Sequence, residues 1–155
     1  MLTAKIIARP GRFDRVDRVK AVVGEQILPG DDQFWILGEP LVVQVGDERI
    51  EVPTGFTTDG ASVPDWAQRI TRWKPWDDPQ RWAGIVHDWL YSQPGVSKPY
   101  ADDVFRAVLA SEGAGWLRRK LMYAAVVIGG GPAYRSDQAR GPRIFNRDES
   151  TPTPP

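Results

Sequence analysis

Gly55-Phe56-Thr57-Thr58-Asp59-Gly60-Ala61-Ser62-Val63-Pro64 is the stretch at which this chain changes period. Upstream, apolar residues come in short bursts: Lys5-Ile6-Ile7-Ala8, Ala21-Val22-Val23, Phe34-Trp35-Ile36-Leu37 and Leu41 to Val45. Pro10-Gly11, Gly30-Asp31-Asp32, Gly38-Glu39-Pro40 and Gly46-Asp47-Glu48 separate them. β-Branched runs bounded by such residues predict strands. Leu41 to Val45 and Arg49 to Val52, joined across Gly46-Asp47-Glu48, predict a hairpin. Val16 to Leu28 also fits a helical spacing and is assigned to strand.

Downstream the spacing is helical. Pro64 suits a first helical turn with Ser62 as its cap, which predicts a short helix from Val63 to about Thr71. A second is predicted from about Pro79 to Ser92, capped by Asp78 and stopped by Pro94-Gly95. A third opens at Ser97 and Pro99 and ends at Glu112-Gly113. A fourth runs from about Gly115 to Ile128 and stops at Gly129-Gly130-Gly131-Pro132. The expected class is α+β, with N-terminal antiparallel strands and hairpins packed against a C-terminal bundle of three to four helices. The remainder reads as an extended, polar, proline-rich tail without periodicity.

Composition narrows the function classes. The 155 residues, 41% of them hydrophobic, are enough for one domain with its own core. The absence of cysteine rules out disulfides and thiolate metal sites. Lysine plus arginine equals aspartate plus glutamate at 20 each, so no nucleic-acid partner is expected. Met1 to Pro10 lacks the pattern of a secretory signal. The most apolar stretch, Leu121 to Ile128, is too short to span a bilayer and reads as a buried helix end.

The second helix carries two stripes. Trp82, Ile85, Val86 and Trp89 fall on one and are expected in the core. Gly84, His87, Asp88 and Tyr91 fall on the other at i, i+3, i+4 and i+7. His87 is the sole histidine of the chain. A glycine within a helix costs about 1 kcal/mol relative to alanine, so Gly84 suggests the close approach of another segment, for which the Thr57 to Ser62 turn is the candidate.

Two readings of this constellation stay open. In the catalytic one His87 acts as general base or metal ligand, Asp88 or Asp59 orients its ring, and Ser62 or a metal-bound water attacks. A divalent metal at Asp59, His87 and Asp88, with Asp102 or Asp103 added, would be an oxygen-rich site suited to magnesium, manganese or calcium. In the structural one Thr57, Thr58 and Asp59 satisfy backbone amides, Ser62 caps, and Asp88 accepts from the turn. Thr58, Asp59, Gly84, His87, Asp88, Tyr91, Asp102 and Arg119 then form one polar network that locks the halves together. This lock, without cofactor or metal, is the favoured reading.

Lesser features have simpler expectations. Asp102-Asp103 stands early in the third helix, where negative charge complements the dipole. Arg119 shares a face with Tyr123 and could reach Asp102. Trp73 and Trp76, in a proline-bearing loop, together with Arg143 and Phe145 in the tail, are the expected partner contacts.

Gly55-Phe56-Thr57-Thr58-Asp59 with Ala61-Ser62-Val63-Pro64, then His87-Asp88-Trp89-Leu90-Tyr91, then Ala101-Asp102 with Phe105, then Arg119 with Met122-Tyr123, together resemble the DUF1353 family of small phage and prophage proteins. The resemblance covers roughly Leu2 to Pro132, so one DUF1353-like domain over 1–132 and a tail over 133–155 are expected. The family position after the turn aspartate is often aromatic, whereas this chain has Gly60, so packing of the turn on the helix should differ. The resemblance implies a tailed-phage gene product. Two roles follow from it: a virion component, as a minor tail or tail-associated protein docking on other phage structural proteins, or a peptidoglycan-directed hydrolase. The first is preferred, which places the protein in the virion after assembly in the host cytoplasm.

Overall fold

The computed structural model describes residues 1–11, 13–16, 22–23, 26–27, 34–58 and 80–144. Eight strands precede four helices among them: β1 Ala4–Ala8, β2 Phe13–Val16, β3 Val22–Val23, β4 Gln26–Ile27, β5 Phe34–Leu37, β6 Leu41–Val45, β7 Glu48–Val52 and β8 Thr57–Thr58. The helices are α1 Gln80–Ser92, α2 Lys98–Ser111, α3 Trp116–Gly129 and α4 Gly131–Arg140. The class is α+β, as the change of period predicts. The helix expected from Val63 to Thr71 lies outside the described residues, as do Asp59, Gly60, Ser62, Trp73, Trp76, Phe145 and the end of the tail.

The strands form two antiparallel three-stranded sheets, ordered β1-β6-β7 and β2-β5-β8, and the short pair β3-β4. The predicted hairpin is β6-β7, with Val45 opposite Glu48 across the two residues Gly46 and Asp47. Gly46 has φ +56°, in the left-handed region that two-residue hairpin turns require. Nothing lies within 4 Å of where its Cβ would be, so conformation alone opposes a side chain there. Gly46→Ala should therefore cost about 1 kcal/mol in urea unfolding; an unchanged midpoint would show that the turn relaxes.

Burial follows position in the sheet. On the edge strand β7, Ile50 and Val52 are buried while Glu48, Arg49 and Glu51 are exposed, the alternation of a strand with one wet face. The central β6 instead buries Leu41, Val42, Val43 and Val45 on both faces. A bulge between Ile6 and Ala8 shifts the pairing of β1 with β6.

α1 runs through the middle of the molecule, against β7, α2 and α4. Trp82, Ile85 and Val86 are core residues, but Trp89 is only half-buried and meets Phe56 edge to face, ring centroids 5.3 Å apart. The polar stripe is enclosed as well: Gly84, His87 and Tyr91 are buried. Both stripes of α1 are therefore largely buried, with Trp89 on one and Asp88 on the other left half-buried.

α2 encloses the stripe over His87, and α4 encloses it over Tyr91. Residues 131–140, expected within an extended tail from 133, form a helix with Pro132 in its first turn, where the missing N–H costs nothing. Tyr134 donates to Val96 O at 2.6 Å, and Gln138 Nε2 donates to Tyr91 O and Gln93 O at 2.7 Å each. Beyond it the chain returns to the sheet: Thr57 N donates to Arg143 O at 2.8 Å, and Phe56 bridges Ile144. The glycines at 129–131 do end α3, and Gly130 is also the point of closest approach there. A Cβ on it would meet Val126 O and, at 2.6 Å, the Tyr91 hydroxyl.

A second departure concerns α3. Met122, Ala125 and Val126 face the core, but Leu121, Val127 and Ile128 are exposed. Leu121 to Ile128 is a buried helix end on one face only.

Candidate functional site

Asp102 organises the buried polar cluster. It sits on α2, one turn inside the cap that Ser97 provides, and is enclosed despite its charge. Its Oδ1 takes the Nε2 of His87 at 2.8 Å and the hydroxyl of Tyr91 at 2.7 Å. Its Oδ2 takes Lys98 Nζ at 2.6 Å, one helical turn away. Lys98 reaches further and donates to the C-terminal carbonyls of α3, Val126 O at 2.8 Å and Val127 O at 3.2 Å. One carboxylate thus ties α1 to α2, and through Lys98 both are tied to the end of α3.

The protonation states follow from these surroundings. Burial pushes His87 below its ordinary pKa, and the hydrogen bond and charge of Asp102 oppose this only in part. The ring is therefore neutral near pH 7, with Nε2 carrying the proton that goes to Asp102. Burial alone would raise the pKa of Asp102, but the hydrogen bonds from His87, Lys98 and Tyr91 outweigh it and hold the carboxyl below its usual range. Burial and the same carboxylate push Tyr91 far up, so its phenol stays protonated. The His87 ring is also packed between Tyr91, centroids 3.9 Å apart, and Phe105, 5.0 Å apart.

Asp88, the next residue on α1, has a different environment. It is half-buried, and its Oδ2 accepts the Thr58 hydroxyl at 2.6 Å, which ties β8 to α1. Asp88 also lines a cleft of about 190 Å³ between α1, α4 and the Phe56–Thr57 and Gly141–Arg143 segments. Ala133, Ser136, Asp137 and Arg140 supply the α4 wall, and Arg140 Nη2 holds Asp137 Oδ1. His87 and Asp88 thus serve two separate places, the first a closed cluster and the second an open cleft.

The expected residues are distributed accordingly. Thr58 joins Asp88, while His87, Tyr91 and Asp102 join one another. Asp102 acts as the acceptor for three donors rather than as a complement to the helix dipole. Arg119 is not among its partners. Tyr123 instead donates to Asp103 at 2.9 Å, with Arg106 over its ring at 4.6 Å. Arg143, expected as a tail contact, is half-buried and lines the cleft. Asp59 and Ser62 fall outside the described residues, and among those described no group of three or more His, Asp or Glu is placed to hold a metal. No helix among them is long and apolar enough to cross a membrane.

Sequence reasoning missed Lys98 and the α4 wall. The Lys98–Asp102 pair at i, i+4 was a legible signal, since residues so spaced are neighbours on a helix. Pro132 after a glycine run was another, because proline is favoured at the first helical position.

No curated protein matches this chain, and no solved structure does. A family model described as a protein of unknown function, DUF1353, matches residues 35–126. That span, more than half of the chain, holds Thr58, His87, Asp88, Tyr91, Lys98 and Asp102 and stops before α4. This chain belongs to the DUF1353 family.

Proposed function

We propose that this protein is a structural component of a bacteriophage particle, a minor tail or tail-associated protein that works by docking on neighbouring phage proteins. Its place would be the virion, after assembly in the host cytoplasm. The outer face of α3 carries this reading. Trp116, Leu117, Leu121, Val127 and Ile128 are 64, 54, 46, 45 and 78% exposed. Leu117, Leu121, Ala124 and Ile128 stand at i, i+4, i+7 and i+11, one apolar stripe along the helix. The patch amounts to something on the order of 500 Å², in the range where a monomer's largest exposed apolar patch is often functional. α3 has no acidic residue, and Lys120 lies on the patch with its Nζ 5.2 Å from the Trp116 ring. The partner surface that fits is an apolar helix face flanked by carboxylates.

The burial of His87 supports binding over turnover. A general base needs a nitrogen that a substrate can reach, and this ring is only 4% exposed. The alternative, a peptidoglycan-directed hydrolase using Asp59, His87 and Asp88, draws its support from Asp88, which faces the open cleft.

The double variant Leu121→Glu/Ile128→Glu tests docking. Each substitution, being on the surface, should change stability by less than about 0.5 kcal/mol. In complementation of a phage that encodes this chain, the folded variant should be absent from purified particles that incorporate the wild type. Particles without wild-type protein, or with undiminished variant, would overturn the reading. Clearing on a cell-wall zymogram that chelator abolishes would favour the hydrolase.

A further inference from the structure

The cleft beside α4 takes no part in the docking proposed above, and its chemistry points elsewhere. Its walls carry two carboxylates, Asp88 and Asp137, and two guanidinium groups, Arg140 and Arg143, so the charges cancel. Ala133, Ser136, Asp137 and Arg140 stand at i, i+3, i+4 and i+7, one face of α4 turned to the opening. Asp88 and Ser92, one turn apart on α1, form the opposite wall.

Arg140 is incompletely used within the protein. Its Nη2 holds Asp137, but its Nε is buried and has no acceptor. A buried donor without a partner costs about 1–3 kcal/mol, so an acceptor brought by a ligand would recover that loss. One turn before it Ser136 is exposed, with a hydroxyl that can donate and accept.

Size and charge narrow the ligand class. A volume of about 190 Å³ is below the roughly 300–1,000 Å³ of pockets that take drug-sized ligands, which suits a ligand of about one sugar ring. An anion such as phosphate would meet the carboxylates of Asp88 and Asp137 in the same cleft as the guanidinium groups. Each hydroxyl of a sugar both donates and accepts, so neighbouring hydroxyls can satisfy a carboxylate and a guanidinium together. We propose that this cleft is a binding site for a neutral, polyhydroxylated ligand of about one sugar unit.

Saturation-transfer NMR on the full chain tests this, with N-acetylglucosamine and glucose as probes and glycine and inorganic phosphate as competitors. At millimolar concentration at least one sugar should receive magnetisation from the protein. The signal should fall several-fold in Ser136→Trp, which plugs the opening from an exposed position; Ser136→Gln is the smaller plug if tryptophan lowers the unfolding midpoint. Silence from both sugars would overturn the proposal. So would a sugar signal that neither plug weakens, or displacement of the sugar by glycine or phosphate.

Discussion

Asp102→Ala is expected to lower the stability of the fold by about 3–5 kcal/mol, the usual cost of removing one partner from a buried charged cluster. Three donors would be stranded at once: the His87 Nε2–H, the Tyr91 hydroxyl and one N–H of Lys98. The first two have little access to water, because His87 and Tyr91 are buried, whereas Lys98 keeps the α3 carbonyls and some exposure. Most of the loss should therefore come from the α1 side. Asp102→Asn keeps one acceptor oxygen but no charge and should lose less. Tyr91→Phe removes one hydrogen bond and should cost about 1–3 kcal/mol, since the acceptor is charged. Urea unfolding with unchanged m values would measure all three. A loss under about 1 kcal/mol for Asp102→Ala would show that water satisfies the stranded groups and that the cluster does not hold the helices together.

Acidification is the second large effect, and the chain is well suited to reveal it because His87 is its sole histidine. The folded pKa of this ring lies below 6.5. The unfolded chain therefore binds a proton in a range where the folded one does not. The contribution of His87 to stability is fully present above pH 6.5 and is lost as pH falls from there towards the folded pKa. The slope in that window should approach about 1.4 kcal/mol per pH unit, one proton's worth. Asp102 acts in the same direction but lower, since its folded pKa lies beneath 3.8 and its contribution begins to disappear only as that value is approached. The His87 window opens near pH 6.5 and that of Asp102 only near 3.8. The urea midpoint at pH 5.0 should lie below that at pH 7.5 for the wild type and stay nearly level for His87→Gln, whose amide can replace Nε2–H towards Asp102. A wild type with no slope, or a slope that survives in His87→Gln, would refute the assignment.

Local signals located most of the elements. Turn residues bounded the strands, and Ser97-Lys98-Pro99 opened α2 where capping and proline preference agree, with Ser97 accepting from Tyr100 N. The Leu41–Val52 hairpin was legible from Gly46-Asp47-Glu48 between two apolar runs, although Glu48 belongs to β7 and the turn has two residues. The dedicated polar stripe on α1 was legible in outline, and Thr58 and Asp88 do meet. Lys98 as partner of Asp102 was overlooked, although its helical spacing made it available. The direction in which α1 faces was not legible at all. A helix wheel separates polar from apolar residues, but it carries no record of later segments, here α2 over His87 and α4 over Tyr91, that enclose the polar side.

From local preferences alone, this chain determines an α+β body of short antiparallel strands followed by amphipathic helices, because pleat, helical pitch, caps and turns depend on neighbours a few residues apart. Which polar groups become partners depends on contacts between residues distant in the chain. Thr58 finds Asp88 across thirty positions, and Tyr91 shares Asp102 with a lysine that also reaches the far end of α3. The long-range packing that buries His87 makes it a neutral hydrogen-bond donor, while Asp88, one residue on, is left at the wall of an open cleft.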